Sequence, residues 1–413
     1  MTESRARTEA PSPSLARVAR GNLCAGCGAC AMIAPERVSM KMEPPGFLRP
    51  RQSGALTETE ERLISQVCPG LGQTVDAGER RDHALWGPYL EMRAGHSTDP
   101  GLRFDASSGG ALSALLVHLL AEGEVDGVIQ TRAAEAPPYA NTPAVSTKVS
   151  EICGAAGSRY APSAPLAGLG ASLGTGRRFA FVGKPCDVAA LRALSRQDPR
   201  IAETFPVVLS FFCAGVPSQT GAEEVVRALG LDPSGITAFR YRGRGWPGQA
   251  TATRADGVSR SMSYAESWGG ILSRHVQHRC KICADGTGKA ADIVCADAWQ
   301  CDEKGYPVFE ERDGVSLVVA RTKTGQRLLA AAEAAGRLET TAFDPRALAR
   351  MQPGQFNRRT VLLARLAALR LFGKPVPRYR GLRLGAAARQ AAPRAFVKNF
   401  AGMARRILRG RAP

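Results

Sequence analysis

The chain has 413 residues and a formal net charge of +18, from 55 Lys and Arg against 37 Asp and Glu. Its 44% hydrophobic and 22% charged residues are typical of a globular protein with a real core, which excludes a disordered or fibrous chain. The charge is uneven, because residues 345–413 hold 17 Lys and Arg and no Asp or Glu. The sequence therefore predicts a nearly neutral body followed by a basic tail.

The first 20 residues lack the apolar stretch of a secretory signal, and we expect residues 1–20 to be disordered. The longest apolar stretches, residues 109–120 and 360–372, are too short or too interrupted to span a bilayer. These features predict a cytoplasmic protein, and the basic tail leaves open a peripheral contact with the inner face of the membrane. Eleven Cys in a reducing compartment call for a role other than disulfides.

Near the N-terminus, three Cys occur at two-residue gaps in the segment Cys24-Ala-Gly-Cys27-Gly-Ala-Cys30. This spacing is typical of loops that wrap an iron–sulfur cluster, but Ala34-Pro35 stands where the fourth ligand usually lies. Cys68-Pro69 is the nearest candidate for that ligand. We therefore predict a 4Fe-4S cluster on Cys24, Cys27, Cys30 and Cys68. Structural zinc is the alternative, although it more often takes two separated Cys pairs.

Further along, Ser107, Ser108, Gly109 and Gly110 precede an apolar stretch of helical length, residues 111–120. Glycine leaves backbone N–H groups open at the positive end of a helix, and serine is a favoured N-cap. The segment predicts a pyrophosphate or flavin contact, and a capped helix with close packing explains it equally well from the residues alone. Lys184 is the expected cationic partner for phosphate or reduced flavin, because it follows a strand and precedes a candidate cluster ligand by two residues.

Two units of strand, Cys-bearing loop and helix come next. Residues 177–183 and 206–212 have the pattern of buried strands, and Cys186 and Cys213 follow them. Because neighbouring parallel strands share one carboxyl edge of a sheet, both Cys should meet there. Cys280 and Cys283 add two thiols at the C-x2-C distance. We predict a second 4Fe-4S cluster on Cys186, Cys213, Cys280 and Cys283. The alternatives are structural Cys in each strand loop and a zinc knuckle at the C-x2-C pair.

The remaining Cys153, Cys295 and Cys301 receive no role, although Cys295 lies in an apolar stretch predicted to be a strand. The loop of residues 240–248 mixes Arg, Gly and aromatic residues, and we expect it beside the substrate or flavin. Such a mixture also occurs in proteins that bind single-stranded nucleic acid, but nothing else in the chain supports that partner.

Five segments, in order along the chain, resemble motifs of the coenzyme F420 hydrogenase and dehydrogenase beta subunit family: CAGCGAC (24–30), SSGG (107–110), GKPCDVAAL (183–191), FFCAGVPS (211–218) and RCKICADGTGKAADI (279–293). The resemblance spans about residues 20 to 340 and extends to 7-hydroxymethyl chlorophyll a reductase and ferredoxin-dependent divinyl chlorophyllide reductase. It implies FAD, one or two 4Fe-4S clusters, and a cluster role for Cys186, Cys213, Cys280 and Cys283. The chain departs from the family at Ala296-Asp297, where many members have Gly before Asp.

We expect an α/β fold with a mixed or parallel sheet core, an N-terminal ferredoxin-like iron–sulfur segment and a C-terminal basic helical tail. The expected divisions are a disordered N-terminus (1–20), the iron–sulfur segment (21–95), a flavin-binding N-terminal half of the core (96–178), a C-terminal half with the second cluster (179–344) and the tail (345–413). Helices are predicted at residues 360–372 and 396–408. The charges of the tail are expected to be unnecessary for cofactor binding.

The expected function is an FAD- and iron–sulfur-dependent oxidoreductase that passes electrons between a ferredoxin-like carrier or reduced deazaflavin and a substrate. Three alternatives remain open: a non-catalytic electron-transfer subunit, a redox sensor, and an accessory protein of surface polysaccharide biosynthesis. In the tail, the first helix is expected to pack on the body. For the second helix, two alternatives stay open: packing on the body, or docking to anionic lipid or to an acidic ferredoxin-like donor.

Overall fold

A computed structural model describes residues 11–299, 302, 308 and 310–410. The helices within these residues are α1 (Pro13–Arg20), α2 (Ala29–Ile33), α3 (Glu58–Val67), α4 (Pro100–Asp105), α5 (Ala111–Ala121), α6 (Val149–Gly154), α7 (Pro185–Ser195), α8 (Pro199–Thr204), α9 (Gln219–Ala228), α10 (His278–Lys281), α11 (Lys323–Ala334), α12 (Leu348–Met351), α13 (Pro353–Thr360), α14 (Leu362–Leu371), α15 (Leu384–Ala388) and α16 (Pro393–Leu408). The strands are β1 (Val38–Glu43), β2 (Phe47–Gln52), β3 (Gly72–Thr74), β4 (Arg81–His83), β5 (Gly87–Tyr89), β6 (Glu91–Ser97), β7 (Gly127–Ala133), β8 (Asn141–Ser146), β9 (Phe179–Gly183), β10 (Val207–Phe211), β11 (Ile236–Arg240), β12 (Ala250–Arg254), β13 (Ser259–Met262), β14 (Ile293–Asp297), β15 (Ser316–Ala320), β16 (Leu338–Ala342) and β17 (Arg378–Arg380).

An eight-stranded sheet with the order β16-β6-β15-β14-β10-β9-β7-β8 forms the centre of the fold. The strands β7, β9, β10 and β14 run parallel to one another. The strands β8, β15, β6 and β16 pair antiparallel with their neighbours on either side of this parallel group. The prediction of an α/β fold with a mixed sheet is therefore confirmed.

Helices cover both faces of the sheet, which explains why its central strands are continuously apolar. Successive side chains of β9 point to opposite faces. Phe181 packs in a core with Leu191 of α7, whereas Val182 packs in a second core with Leu115 of α5 and Leu328 of α11. The strands predicted at residues 177–183 and 206–212 are β9 and β10, and both end at the same edge of the sheet.

The N-terminus differs from the expectation of disorder over residues 1–20. Residues 13–20 form α1, while residues 1–10 lie outside the described residues. The Ser12 hydroxyl caps this helix by accepting a hydrogen bond from the Leu15 N–H at 3.1 Å, and Glu61 of α3 accepts one from the Ser14 N–H at 2.9 Å. The expected boundary at residue 95 also falls inside β6, which pairs with β15 and β16 in the central sheet.

Residues 345–410, called the C-terminal segment below, fold against the body instead of forming a separate tail. The predicted helices at residues 360–372 and 396–408 correspond to α14 and α16. Leu362 and Leu366 of α14 are fully buried in a core with Leu23 and Ile282. The strand β17 pairs in parallel with β3 of the N-terminal part. Among the described residues, none of the helices has the length and apolarity needed to cross a bilayer.

Candidate functional site

The first predicted ligand group, the N-terminal cysteine set (Cys24, Cys27, Cys30 and Cys68), comes from three neighbouring elements. Cys24 and Cys27 lie in the loop between α1 and α2, Cys30 lies in α2, and Cys68 ends α3. Gly26 and Gly28 adopt positive φ angles of 71° and 88°, which glycine tolerates best. The Gly26 N–H also points at the Cys24 sulfur from 3.3 Å. The short loop can turn around its thiols because glycine separates them.

The second predicted group, the sheet-edge cysteine set (Cys186, Cys213, Cys280 and Cys283), forms at the carboxyl edge of the central sheet. Cys186 occupies the first turn of α7, after β9, and Cys213 follows β10. Cys280 lies in α10, and Cys283 lies two residues beyond the end of this helix. The Val216 N–H points at the Cys280 sulfur from 3.4 Å. The structure thus places these thiols at one edge, which the sequence pattern predicts for Cys186 and Cys213.

The thiols within each set raise one another's pKa, as expected for side chains that lie close together. Burial raises the pKa of Cys68 to about 11, and the neighbouring Cys24 adds to the rise. Burial raises the pKa of Cys213 to about 12, with a further contribution from Cys280. In surroundings of low dielectric constant, one thiolate makes the next less stable. A positively charged group bound between the thiols would remove this repulsion and hold them deprotonated.

The buried side chain of Arg279 lies between the two sets. Its Nη2 donates to the Pro69 carbonyl at 2.8 Å, directly after Cys68, while Arg279 itself precedes Cys280 in the chain. Its charge interacts with cysteines of both sets. Gln277 adds a second link, because its Nε2 lies 3.5 Å from both the Ala25 carbonyl and the Cys280 sulfur. The two sets are therefore neighbours within one site.

The C-terminal segment holds the loops of the sheet-edge set. Its side chains donate hydrogen bonds to the backbone carbonyls of those loops: Gln355 to Cys213 at 3.0 Å, Arg358 to Cys213 and Ala214 at 2.7 and 2.8 Å, Arg365 to Lys281 at 2.9 Å, Tyr379 to Ile282 at 2.7 Å, and Arg359 to Ala284 at 3.0 Å. The expectation that the basic charges of this segment stand apart from the cofactor site does not hold for these three arginines. Such carbonyls cannot find partners within their own short loops, and the guanidinium groups supply them.

Both sets suit an iron–sulfur cluster by the chemistry of their donors. Each offers four buried or half-buried free thiols, and a backbone N–H points at one sulfur of each set. Such N–H groups stabilise added negative charge on a cluster. In the part of the chain that the structure describes, no three His, Cys, Asp or Glu side chains come close enough together to hold a single metal ion. The four thiols of each set would instead bind a cluster, which is larger than a single metal ion and needs its ligands farther apart.

A cavity of about 290 Å³ opens at the same edge of the sheet. Its walls include Gly183 and Phe211 at the ends of β9 and β10, the first turn of α5, and Cys213 of the sheet-edge set. Gly110 is the N-cap residue of α5 and has no side chain that could cap the helix, so the N–H groups of the first turn lack a side-chain partner from this position. A helix N-terminus of this kind favours an anionic group of a ligand.

Four of the five residues predicted to contact a flavin line this cavity: Ser107, Ser108, Gly110 and Lys184. Gly109 lies behind the wall, where an added Cβ would come within 2.7 Å of the Gly95 carbonyl and the Ser316 nitrogen. The serines do not cap α5. The Ser107 hydroxyl accepts a hydrogen bond from the Ser158 N–H, and the Ser108 hydroxyl donates to the Val315 carbonyl at 3.0 Å. The SSGG segment therefore both packs closely and forms a cavity wall.

Lys184 carries a charge that is already paired. Its Nζ donates to Asp187 at 2.7 Å and to the Ser163 hydroxyl at 3.1 Å, and both Lys184 and Asp187 are buried. Burial opposes the charge of Lys184, but the Asp187 carboxylate raises the pKa of Lys184 above its ordinary value. The expected role of Lys184 as a free cation for phosphate is therefore modified, since a nearby anion neutralises it.

The cavity wall also contains an arginine and aromatic unit around Arg242, which the sequence indicated only as the loop of residues 240–248. Arg242 is 2% exposed and donates to both oxygens of Asp297, at 2.9 and 2.8 Å. Its guanidinium lies 4.9 Å from the ring centroids of Tyr264 and Trp299. Trp246 stacks on Trp299 at 4.8 Å. Asp297 therefore anchors this wall. It directly follows Ala296, the position at which many family members have Gly.

The three cysteines without a predicted role fall into different places. Cys295 lies in β14, as predicted, and lines the cavity from a buried position where burial raises its pKa to about 12. Cys153 lies in α6 and is half-buried. Cys301 lies outside the described residues.

Fold and site together define a mixed α/β protein in which one cysteine set and a cavity share a sheet edge, and a second cysteine set lies next to the first. The chain belongs to the coenzyme F420 hydrogenase/dehydrogenase beta subunit family: the model of the family's N-terminal region matches residues 92–169, and that of its C terminus matches residues 176–346. Most of the C-terminal segment therefore lies beyond both matches.

Individual relatives agree with this assignment. The chain is 24% identical over 259 residues to the F420-dependent formate dehydrogenase 1 subunit beta of Methanococcus maripaludis, a match that covers 62% of the chain and 63% of that subunit. It is 24% identical over 264 residues to the coenzyme F420 hydrogenase subunit beta of Methanothermobacter thermautotrophicus, covering 62% of the chain and 85% of the relative. A chain in the structure of the F420-reducing [NiFe] hydrogenase complex from Methanosarcina barkeri shares the fold, with a TM-score of 0.50, 21% identity, and coverage of 68% of this chain and 95% of that one.

Proposed function

We propose that the chain is an iron–sulfur flavoprotein oxidoreductase that exchanges electrons between a one-electron carrier or reduced deazaflavin and a substrate. The observation that carries the proposal is the wall shared by the cavity and the sheet-edge cysteine set. Cys213 belongs to both, so a redox group held in the cavity is next to a thiol of the candidate cluster site.

Each group has candidate residues in this chain. Cys24, Cys27, Cys30 and Cys68 would hold one 4Fe-4S cluster, and Cys186, Cys213, Cys280 and Cys283 a second. The cavity would hold FAD, with Ser107, Ser108, Gly110 and the first turn of α5 as its contacts and Gly109 packing the loop behind them. Bound FAD supplies electrons in pairs, and the clusters supply them singly.

The protein's own part is to position these groups and to set their surroundings. Arg279 fixes the two cysteine sets side by side, and the N–H groups of Gly26 and Val216 stabilise negative charge at the sulfurs. The pairing of Lys184 with Asp187 leaves the buried wall beside Cys186 electrically balanced. The ten described cysteines are free thiols, which supports a cytoplasmic location.

Anaerobic purification tests the proposal. We expect a brown protein with about eight irons per chain and FAD that is released on denaturation. The Cys24→Ala and Cys186→Ala variants should each lose about four irons, because each removes a ligand from a different four-iron cluster. A colourless preparation that contains zinc and no iron would overturn the proposal.

A second candidate is a non-catalytic electron-transfer subunit, which is favoured by the names of the relatives, since they are subunits of F420-linked enzymes. Reduced coenzyme F420 and an artificial viologen acceptor separate the two candidates. Turnover by the isolated, iron-loaded chain supports the enzyme. Reduction of the clusters by dithionite without turnover supports the electron-transfer subunit.

A further inference from the structure

The helix α16 lies close to the element that bears Cys280. Arg365 of α14 donates from Nη1 to the Lys281 carbonyl at 2.9 Å, and from Nε and Nη2 to the Asn399 side chain of α16 at 3.1 and 2.9 Å. Lys281 ends α10 and directly follows Cys280. A single arginine side chain therefore connects α16 with the loop that carries two thiols of the sheet-edge cysteine set.

The exposed side of α16 is strongly basic. Arg394, Lys398, Arg405 and Arg409 are exposed and recur at four- and seven-residue spacing, which places them on one face, and the exposed Arg406 borders it. We call these five residues the α16 basic face. In the described residues, the ion pairs of the C-terminal segment are those of Arg346 and Arg383, and neither belongs to this face. Because residues 345–413 contain no Asp or Glu, the segment supplies no compensating charge of its own.

The positive charges continue from the α16 basic face toward the cysteines. Burial lowers the pKa of Arg365, and the charges of Arg406 and Arg358 lower it further, so Arg365 lies near each of these two guanidinium groups. Arg358 in turn donates to the Cys213 carbonyl at 2.7 Å. Positive charge thus extends from solvent to the backbone of the sheet-edge cysteine set.

The apolar side of α16 is not available for a bilayer. Met403 is 1% exposed, and Phe400 and Ile407 pack beside it in the core that contains α14. A helix that lies in a membrane interface buries its apolar face in the lipid. In α16 this face is already used, and the large exposed apolar side chains are Val397 and Leu408 alone among its described residues. A charged macromolecular partner fits this surface better than lipid does.

We propose that the α16 basic face is the docking site of a small acidic protein that carries one electron, of the ferredoxin class. Docked there, the carrier transfers a single electron to or from the sheet-edge cysteine set's cluster, and the transfer forms and breaks no covalent bond. When the carrier donates, its own cluster is oxidised and that of this chain is reduced by the same electron. The purpose of the docking rests on the proposed function, but the binding itself does not require turnover.

The test measures binding of an oxidised, acidic two-cluster bacterial ferredoxin to the full chain by calorimetry, at increasing salt. We expect the affinity to fall with salt and the Arg405→Glu/Arg406→Glu variant to bind about tenfold more weakly or worse, because opposite charges steer and hold the partner. The Arg405→Lys/Arg406→Lys variant should bind like the wild type. The Arg260→Glu variant, which changes an exposed arginine of β13, should also bind normally.

Equal affinity of the wild type and the Arg405→Glu/Arg406→Glu variant would overturn the proposal. So would wild-type capture by phosphatidylglycerol vesicles without ferredoxin binding, which would assign the surface to a membrane. Iron content, measured on the same samples, separates this inference from the proposed function. An iron-free chain that still binds the carrier refutes the proposed function alone, whereas an iron-loaded chain that does not bind it refutes the docking alone.

Discussion

Replacing Arg358 by Met tests whether the C-terminal segment holds the sheet-edge cysteine set in place. The change removes two hydrogen bonds from a charged donor to the carbonyls of Cys213 and Ala214, at 2.7 and 2.8 Å. A bond of this type contributes about 1.5–3 kcal/mol when buried, and Arg358 is half-buried, so water recovers part of the loss. We expect the loop to lose about 2 kcal/mol, which corresponds to roughly thirtyfold easier opening at 1.4 kcal/mol per factor of ten.

The assay is the anaerobic release of iron to a chelator, followed by absorbance. We expect about four of about eight irons to leave faster in the Arg358→Met variant and the rest at the wild-type rate. The matched control is Arg370→Met, which removes the same charge from an exposed position of α14. The reasoning is refuted if the variant releases iron like the wild type, or if both halves of the iron leave faster to the same extent.

Three further predictions concern the glycine loop, the cavity wall and a buried lysine. Gly28→Ala should lower the iron content by about four irons per chain, because Gly28 has a φ of 88° and its new Cβ would lie 2.7 Å from the Ala167 nitrogen. The control Gly78→Ala, at a position with a positive φ and open space around it, should keep the wild-type iron content. Asp297→Asn should lower the free energy of unfolding by about 3–5 kcal/mol in urea titrations, because it leaves the buried Arg242 uncompensated. Arg242→Met/Asp297→Leu should recover much of this loss, and a double variant as unstable as Asp297→Asn would contradict the coupling. Burial lowers the pKa of Lys289 to about 7 in the folded protein. Above that pH, Lys289 keeps its proton in the unfolded chain but loses it in the folded one. The free energy of unfolding should therefore rise from pH 7 to about 10.5 in the wild type relative to Lys289→Met, and parallel profiles would count against a neutral Lys289.

The elements around the predicted site follow from local sequence patterns. The apolar run before Lys184 and that before Cys213 form strands because both faces of the sheet are covered, and the following residues begin helices or loops at one edge. The spacing of Cys24, Cys27 and Cys30 likewise predicts a compact thiol loop, which the glycines make sterically feasible. These features depend on residues that are close in the chain, or on the fact that neighbouring parallel strands end at the same edge of a sheet.

The serine and lysine assignments show where local patterns are insufficient. Ser107 and Ser108 satisfy their hydroxyls with backbone groups of Ser158 and Val315, which are far away in sequence, so they do not cap α5. Lys184 is paired with Asp187 three residues later, but that pairing forms because both side chains are buried under the same wall. Burial decides whether a charge is free or paired, and burial is a property of the assembled fold.

The family, the mixed α/β class and the two groups of cysteines follow from local sequence, because these depend on residue type and spacing. The role of residues 345–410, in contrast, depends on contacts between segments that are far apart in the chain. Composition marks them as a basic tail, yet Arg358, Arg359 and Arg365 donate to carbonyls of loops more than 70 residues away in the chain. Those carbonyls lie in loops or, for Lys281, at the end of the short helix α10, and a charged side chain can reach them only after the chain has folded back across the site.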